Sequence, residues 1–599
     1  MLLSIEVLSE LGTWCCTSTD RDSKRITARS ETEGLSFLTI TLPQFAADLE
    51  KGLERGVVLP DTFLGYRKRG KLPIFMGGFL ELIFDRKSGC LLEHPSIDAI
   101  FAVRQTCLLH KKVEIPCSDE RVASAIDGYF KCEQEVRRFD ASRTSSMLED
   151  FSRVSQLLWG EILQKVDECV YNLELIPKHG PGATADRLRG NSKYNQVEWP
   201  SRLESIFPYG EYVLPNWRYY TYLDRVDFLE PGRERPSRVI TVPKTLKTPR
   251  IIAIEPTAMQ YMQQALLRPI VEYLESPRLN GRDNLTFGIV GFSDQTPNQR
   301  MALEGSFSGS LATLDLSEAS DRVSNQLVRE MLKYVPNLAE GVDASRSRKA
   351  DVNGKVVRLA KFASMGSALC FPFEAMVFAT LVFMGIEREL KHRLGHRDIV
   401  LLRSRVRVYG DDIVVPVDYV HSVISVLEDF GLRVNRDKSF WTGKFRESCG
   451  GEYYDGVDVT PARVKQLLPT TRKDVTELVS TVALRNRFYQ RGMWKTVKWL
   501  DCRIEKLIPF PTVLPSSPVL GRHSFLGYQA EKIGGRYQIP LVRGFVTVSR
   551  PPDSHLDDVP ALQKFFLKQG REPFADEDHL ERFGRPDVVG IKLRWASAI

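Results

Sequence analysis

Among the ten cysteines of this 599-residue chain, scattered from Cys15 to Cys502, there is no C-x-x-C pair. That absence excludes a disulfide framework and a structural zinc site, and the thiols read as buried groups of a reducing compartment. Long apolar runs are missing too. The longest, "AMVFATLVFMGI" from Ala375 to Ile386, is too short to span a bilayer and is predicted as a buried helix. The N-terminus "MLLSIEVLSELG" has a glutamate where a secretion signal needs a basic region, so a cytoplasmic protein is expected. Nor does one sign of charge dominate: 83 Lys and Arg against 76 Asp and Glu give a formal charge of +7, which allows a nucleic-acid partner without demanding one. No internal repeat and no long low-complexity linker is visible.

A chain of this length outgrows a single hydrophobic core, so two or more lobes around a cleft are expected. Its 43% hydrophobic and 27% charged residues are ordinary for a folded protein. The first 175 or so residues read mostly as amphipathic helix. "IPKHGPGATADRLRGNSKYN", from Ile176 to Asn195, is rich in Gly, Pro and basic residues and reads as an ordered loop. The aromatic and basic stretch after it, with Tyr209, Tyr212, Trp217, Tyr219 and Tyr220, reads as core with a few rings free to stack on single-stranded template. "RVITVPKTLKTPRIIAIEP" from Arg238 predicts two short strands around a basic turn. "SLATLDLSEASDRVSNQLVREML" opens as a strand with Leu311, Thr313 and Asp315 alternating, then turns helical after Asp321. A buried helix after Gly366, a hairpin around Tyr409, a helix stopped by Gly431 and a short strand complete an α+β platform, its helices collected on one face of an antiparallel sheet.

Within that hairpin, "RVRVYGDDIVVPV" places Asp411 and Asp412 side by side between two apolar runs. Gly-Asp pairs make turns for local reasons, and Asp315 alone would serve as a helix cap or strand end. The platform, however, brings Asp315 beside the Asp411–Asp412 turn. Three converging carboxylates repel one another unless cations neutralise them, and hard oxygen ligands of this type select magnesium or manganese. Two such ions activate an attacking hydroxyl and hold a transferred phosphoryl group.

"YGDD", with "DLSEASD" upstream, "SMG" between them and "FRESCGGEYYDGVDVTP" downstream, resembles the replicase subunit of the positive-strand RNA bacteriophages, a family of RNA-dependent RNA polymerases. "HGPGA", "TVPK", "DQTPNQR" and "GLRVNRDKSF" extend the resemblance over roughly Lys178 to Pro461. It implies a right-hand polymerase fold with fingers, an antiparallel-sheet palm and a mostly helical thumb. The expected division is an N-terminal helical region over 1–175, fingers over 176–300, palm over 301–460, and thumb with the C-terminal region over 461–599. The implied activity is template-directed RNA synthesis from nucleoside triphosphates with two magnesium ions, manganese being a possible substitute. The implied setting is the cytoplasm of an infected bacterium, with viral RNA as template. Implied partners are the host elongation factors Tu and Ts and a ribosomal protein.

Carried over position by position, the resemblance makes Asp315, Asp411 and Asp412 the metal ligands and Lys438 a general acid toward the leaving phosphate. Asp321 is then placed to sense the ribose 2′-hydroxyl, since a carboxylate bonds a hydroxyl that a deoxynucleotide lacks. Ser364, Met365 and Gly366 form the loop supporting template and nucleotide, and Glu374, kept from the family pattern, is assigned to the nucleotide-binding set with them. Lys244, Lys247 and Arg250 line the nucleotide channel, although a solvated charged hairpin is the commoner fate of such a run. Phe445, Arg446, Glu447, Ser448, Cys449 and Gly450 form a hairpin that grips the primer end or nascent strand. Two blocks depart from the family pattern. "MGSALCFPFE" puts Ser367, Ala368 and Cys370 where Asn, Gly and Thr are expected, and Gly291 stands where an aspartate is expected. Two other readings share these features: a reverse transcriptase, disfavoured by an aspartate at Asp321 where a bulky ring is usual, and a noncatalytic RNA-binding scaffold, disfavoured by the retention of all three carboxylates.

Overall fold

The computed structural model describes residues 1–535, 537–549, 555–569 and 589–599, so the expected 461–599 unit includes stretches outside the described residues. Its architecture is mixed α+β. Helices carry most of the first 175 residues, as their periodicity predicts; the longest are Asp119–Ser142 and Ser145–Tyr171, the second begun by a Thr144 hydroxyl that accepts from the Met147 amide.

The central sheet has three antiparallel strands in the order Arg407–Tyr409, Asp412–Pro416, Leu311–Asp315. Alternation along them divides the faces. Ala312, Leu314, Ile413 and Val415 enter the main core with the Cys370–Leu390 helix, and the opposite face is packed on the Thr296–Ser308 helix. Helices therefore cover both faces, not one as expected. The reason is burial: Leu311 to Leu314 and Ile413 to Pro416 are buried without a break, so neither face can be left to water. The Cys370–Leu390 helix is also longer than its apolar run suggested. It is long and apolar enough to cross a bilayer, yet it lies in the middle of the main core, where Trp159 donates to Thr380 at 3.0 Å.

A second sheet, in the order Lys355–Arg358, Lys349–Val352, Ser237–Val242, Arg250–Ile254, contains the two strands expected around the basic turn and a hairpin that was not expected. The strand expected after Gly431 is reduced to isolated bridges, Leu316 with Val434 and Thr313 with Phe440. All ten cysteines are free, but Cys16, Cys90 and Cys502 are exposed, so the expectation of buried thiols holds only in part.

The expected boundaries at 175 and 460 do not follow the cores. Residues 3–113 share one apolar core with Phe440, Phe445, Tyr454, Phe488 and Leu500, whereas the Ser145–Tyr171 helix joins the main core. Polar clamps fasten the first of these. Glu10 accepts from the Lys495 and Thr496 amides at 2.9 and 2.8 Å, capping the Trp494–Ile504 helix across 486 residues of sequence. Glu54 takes the amides of Trp441, Thr442 and Gly443. Buried Arg104 bridges Glu50 and Glu452, and Glu452 also meets Arg463.

One buried acid carries a pH signature. Burial pushes Glu255 up to about 7, against hydrogen bonds from Ser347 and Gln263. Between about pH 4.5 and 7 the unfolded chain releases this proton while the folded chain keeps it, so the stability it contributes is full below that window and lost as pH rises through it. Glu255→Gln cannot ionise. It is expected to stabilise the protein at pH 8 by on the order of 3 kcal/mol relative to its effect at pH 4.5. Urea midpoints at both pH values check this; equal shifts at the two would remove Glu255 as the cause.

Candidate active site

Strand register brings the carboxylates together. Asp315 ends its strand directly opposite Asp412, and Tyr409 pairs with Asp412 on the other side, leaving Gly410 and Asp411 as a two-residue turn. Directly opposed residues share a face, with β-carbons roughly 5 Å apart. Gly410 is required here on two counts: its φ is +59°, and a β-carbon would stand 2.4 Å from the Phe371 ring.

The electrostatics follow from this crowding. Burial pushes Asp412 up to about 7, with the charges of Asp411, Glu447 and Asp315 adding to it against a hydrogen bond from the Cys449 amide. Asp315 is likewise raised, first by burial, then held back by Lys438 and Asn435 while Asp411 and Glu447 push it further. Its Oδ2 accepts from Asn435 at 2.8 Å and its Oδ1 from Lys438 Nζ at 3.3 Å. Burial works against the Lys438 ammonium, but Asp315 and Glu447 outweigh it and raise its pKa. Glu374, buried in the Cys370–Leu390 helix, is raised well above the carboxylate range by burial and by Asp411 and Asp321. Among the described residues no three His, Cys, Asp or Glu side chains form a ready-made metal cage. The donor chemistry nevertheless fits a hard divalent cation. Carboxylates raised by burial and then by one another's charge are relieved by one, and Lys438 and Asn435 satisfy Asp315 meanwhile.

The basic turn between Val242 and Arg250 borders this cluster. Lys244 is exposed, yet surrounding protein, Arg250 and Lys438 lower its pKa while Asp411 and Asp315 pull the other way, which places its ammonium in their field. Arg250, opposite Val242, and Lys247, in the turn, are exposed. The turn is braced from the N-terminal region, where Arg121 donates to the Leu246 carbonyl at 2.7 Å and the Cys117 thiol reaches the Thr245 carbonyl. The Ser364–Gly366 loop lies against the neighbouring strand: the Ala253 amide donates to the Met365 carbonyl at 2.8 Å, and a β-carbon on Gly366 would stand 2.1 Å from the Ala253 carbonyl oxygen. Ser364 is buried and Met365 is 38% exposed.

Asp321 sits on the short Ala319–Arg322 helix, where its Oδ1 accepts from Ser364 Oγ at 2.9 Å and from Lys361 Nζ at 3.1 Å. Sequence reasoning missed Lys361 and Asn435. Nothing local signals either one, since their partners lie 40 and 120 residues away.

The Phe445–Ser448 and Gly451–Tyr454 strands form the expected hairpin, turned by Cys449 at φ +49° and Gly450 at φ +75°. Its residues divide by burial. Phe445 is buried beneath the Arg104 guanidinium, and Arg446, also fully buried, donates to the carbonyls of Leu311, Trp441, Gly443 and Phe445. These two side chains, expected to grip a strand, are committed to the framework. Ser448 is buried too, against Asn298, while Gly450 is exposed. Glu447 faces the carboxylates; burial raises its pKa, but Lys438, Lys111, Arg463 and Arg104 prevail and lower it. Gln299 donates to the Cys449 carbonyl at 3.1 Å, so the "DQTPNQR" block positions this turn. Gly291, where the resemblance expects an aspartate, lies against Arg407, whose guanidinium would stand 2.4 Å from a β-carbon. Of the aromatic stretch, Tyr209 and Tyr212 are core, whereas Trp217 and Tyr220 are exposed.

Comparison with known proteins bears on this arrangement of carboxylates and cations. Residues 231–501 match the family described as RNA replicase, beta-chain. That match contains the strand pair, the basic turn, the Ser364 loop and the hairpin. The RNA-directed RNA polymerase beta chain of Enterobacteria phage fr is 36% identical over 255 residues, 43% of this chain and 41% of that one. The corresponding beta subunit of Qbeta virus (strain MX1) is 38% identical over 230 residues, 38% of this chain and 35% of that one. The chain thus spans about two-fifths of the length of the curated relatives it matches. Among solved structures, the RNA-dependent RNA polymerase of a human picobirnavirus aligns over 44% of this chain and 55% of that one, with 14% identity and a TM-score of 0.33.

Proposed function

We propose that this chain is an RNA-dependent RNA polymerase that copies a viral RNA template by transferring nucleotides from NTPs to an RNA 3′ end. The observation that carries the reading is the register of Asp315 against Asp412 with Asp411 in the adjoining turn, inside the stretch that matches replicase beta chains. Asp315, Asp411 and Asp412 are the residues that would hold two magnesium ions, with manganese a substitute. When bound, such ions lower the pKa of an attacking hydroxyl and neutralise the phosphoryl group. Lys438, an ammonium kept protonated by Asp315 and Glu447, is suited to give a proton to the leaving phosphate oxygen. Lys244, Lys247 and Arg250 attract and orient the triphosphate. Asp321 accepts a hydrogen bond from the ribose 2′-hydroxyl, Ser364 to Gly366 support the base pair, and Glu374, in the field of Asp411 and Asp321, belongs to the same nucleotide-binding set. On the hairpin, Glu447, Cys449 and Gly450 are the positions left to meet the nascent strand.

The family resemblance extends the proposal to the cytoplasm of an infected bacterium and to the host elongation factors Tu and Ts with a ribosomal protein; copurification from host cells tests those partners. The activity itself is tested by primer extension on a defined RNA template with magnesium and four NTPs. Incorporation that follows the template and requires ribonucleotides is expected. Preferential use of dNTPs would make the chain a reverse transcriptase, and RNA binding without incorporation would make it a scaffold. Within that assay, Arg250→Ala is expected to raise the nucleotide KM roughly tenfold while leaving template affinity unchanged. Normal nucleotide kinetics with a weakened, less salt-dependent template affinity would instead put Arg250 on the RNA backbone.

A further inference from the structure

Lys361 is a fully buried lysine, 0% exposed, in a molecule whose other channel cations meet water. Its ammonium stands 3.6 Å from the centroid of the Tyr129 ring, 3.1 Å from Asp321 Oδ1 and 3.9 Å from Glu133 Oε2. Lysine is almost never buried to this degree without partners, and here burial works against the charge while Asp321, Tyr129, Cys132 and Glu133 together keep it. Ser364 Oγ bonds the same Oδ1 of Asp321 at 2.9 Å and in turn bonds the Tyr129 hydroxyl at 3.1 Å. Lysine and serine thus share a single carboxylate oxygen, and the tyrosine ties the two of them together from behind. No described side chain bonds Oδ2, and the Asp321 side chain keeps 20% exposure.

Tyr129 comes from the Asp119–Ser142 helix, outside the 231–501 match. That helix is fastened beside Asp321 at several points. Cys132 Sγ reaches the Asp321 carbonyl at 3.5 Å, Glu135 takes Arg322 at 2.6 Å, and Glu133 accepts from the Ala360 amide next to Lys361. Such bracing matters because the Ala319–Arg322 helix is a single turn entered through Glu318 at φ +56°, too short to fix a side chain by itself.

We propose that Lys361 and Tyr129 are positioning residues for sugar selection: Lys361 holds Asp321 by Oδ1, Tyr129 seats Lys361 and Ser364 against it, and Oδ2 is thereby presented to the ribose 2′-hydroxyl of the incoming nucleotide. This rests on the polymerase reading and adds to it a part contributed by the N-terminal region. Without the ammonium, the carboxylate can turn its free oxygen elsewhere, and a ribonucleotide loses a bond that a deoxynucleotide never made.

The test is kcat/KM for ATP and dATP on one RNA template, measured for the parent, Lys361→Met, Tyr129→Phe, Asp321→Ala and the Lys361→Met/Asp321→Ala double variant. The parent is expected to prefer ATP. Lys361→Met should cut that preference roughly tenfold through a higher KM for ATP with dATP kinetics little changed, and Tyr129→Phe, which keeps the ring, roughly threefold. In the double variant the Lys361 change should add nothing to the loss caused by Asp321→Ala. A merely structural role lowers both nucleotides alike; an unchanged ratio, or additive losses in the double variant, overturns the proposal. If Lys361→Met does not fold, the ratio for Tyr129→Phe decides by itself. A parent that discriminates, with selectivity abolished by Asp321→Ala but untouched by the other two, refutes this inference alone. A parent that incorporates no ribonucleotide refutes the polymerase reading and this inference with it.

Discussion

Asp411→Asn is expected to lower nucleotide incorporation by at least about a thousandfold while leaving template affinity and folding intact. The charge of Asp411 is felt by Asp315, Asp412, Glu374, Lys244 and Lys438, so it sits at the electrostatic centre of the site. In the protein without ions this charge is a liability, because it pushes Asp412 and Glu374 up and adds to the repulsion that burial already makes costly. Replacing the carboxylate by an amide of the same shape removes that repulsion. The thermal midpoint should therefore stay level or rise while activity collapses, the opposite pairing to that of a structural residue. Primer extension, filter binding at fixed salt and a melting curve on one preparation give the three readings. Near-parental extension by the pure variant would remove Asp411 from the chemistry, and a lowered midpoint would show that its role is structural.

The second large effect belongs to Gly366→Ala. At φ +127° the backbone is where L-residues rarely go, and the added carbon would stand 2.1 Å from the Ala253 carbonyl oxygen and 3.2 Å from an Ile252 methyl. A backbone oxygen inside a sheet cannot step aside as a side chain can. The loop must lift, breaking the bond from the Ala253 amide to the Met365 carbonyl and taking Ser364 away from Asp321. Expected are a loss of about 2 to 4 kcal/mol in stability and of at least roughly a hundredfold in kcat/KM for NTPs, from strain and misplacement together. A soluble variant with parental kinetics would show that the loop rearranges freely and that its contact with the Arg250–Ile254 strand is incidental.

The parts of this site that could be read from sequence are those in which local chemistry and function coincide. Gly410 and the adjacent aspartates mark a turn by their own conformational needs, and Leu311 to Asp315 reads as a strand, while the order of elements in the platform suggests that this strand ends beside the turn; the direct pairing of Asp315 with Asp412 is seen only in the register. Lys361 could not be found that way. In the string "LAKFASMG" it looks like any surface charge, and its burial is made tolerable by Asp321, 40 positions earlier, together with Tyr129 and Glu133, which arrive from more than 220 positions earlier in the chain. The Asp119–Ser142 helix shows the same limit. Its pattern announces a helix but not that Tyr129, Cys132 and Glu135 converge on the Asp321 turn. Arg446 failed in the opposite direction. A motif placed it near nucleic acid, while four carbonyl oxygens that no pattern reveals claim its guanidinium. The two-sided cover of the central sheet was signalled only by the unbroken apolar run of Ile413 to Val415, since Thr313 in the partner strand reads as a solvent-facing position although it is buried.

The apolar core shared by residues 3–113 with Phe440, Phe445, Phe488 and Leu500 carries a consequence for the order of events during synthesis. At roughly 5 to 20 residues per second, the ribosome needs some tens of seconds to travel from the end of the first segment to the residues that cover it. Throughout that interval the faces destined for Phe445 and Phe488 are open, Glu10 has no helix end to cap, and the Arg104 guanidinium lacks Glu452. The amino-terminal segment is thus held as an unfinished surface, closed only when the chain returns to it, and a transcript cut before codon 440 yields a product whose beginning, though fully translated, is left without its cover.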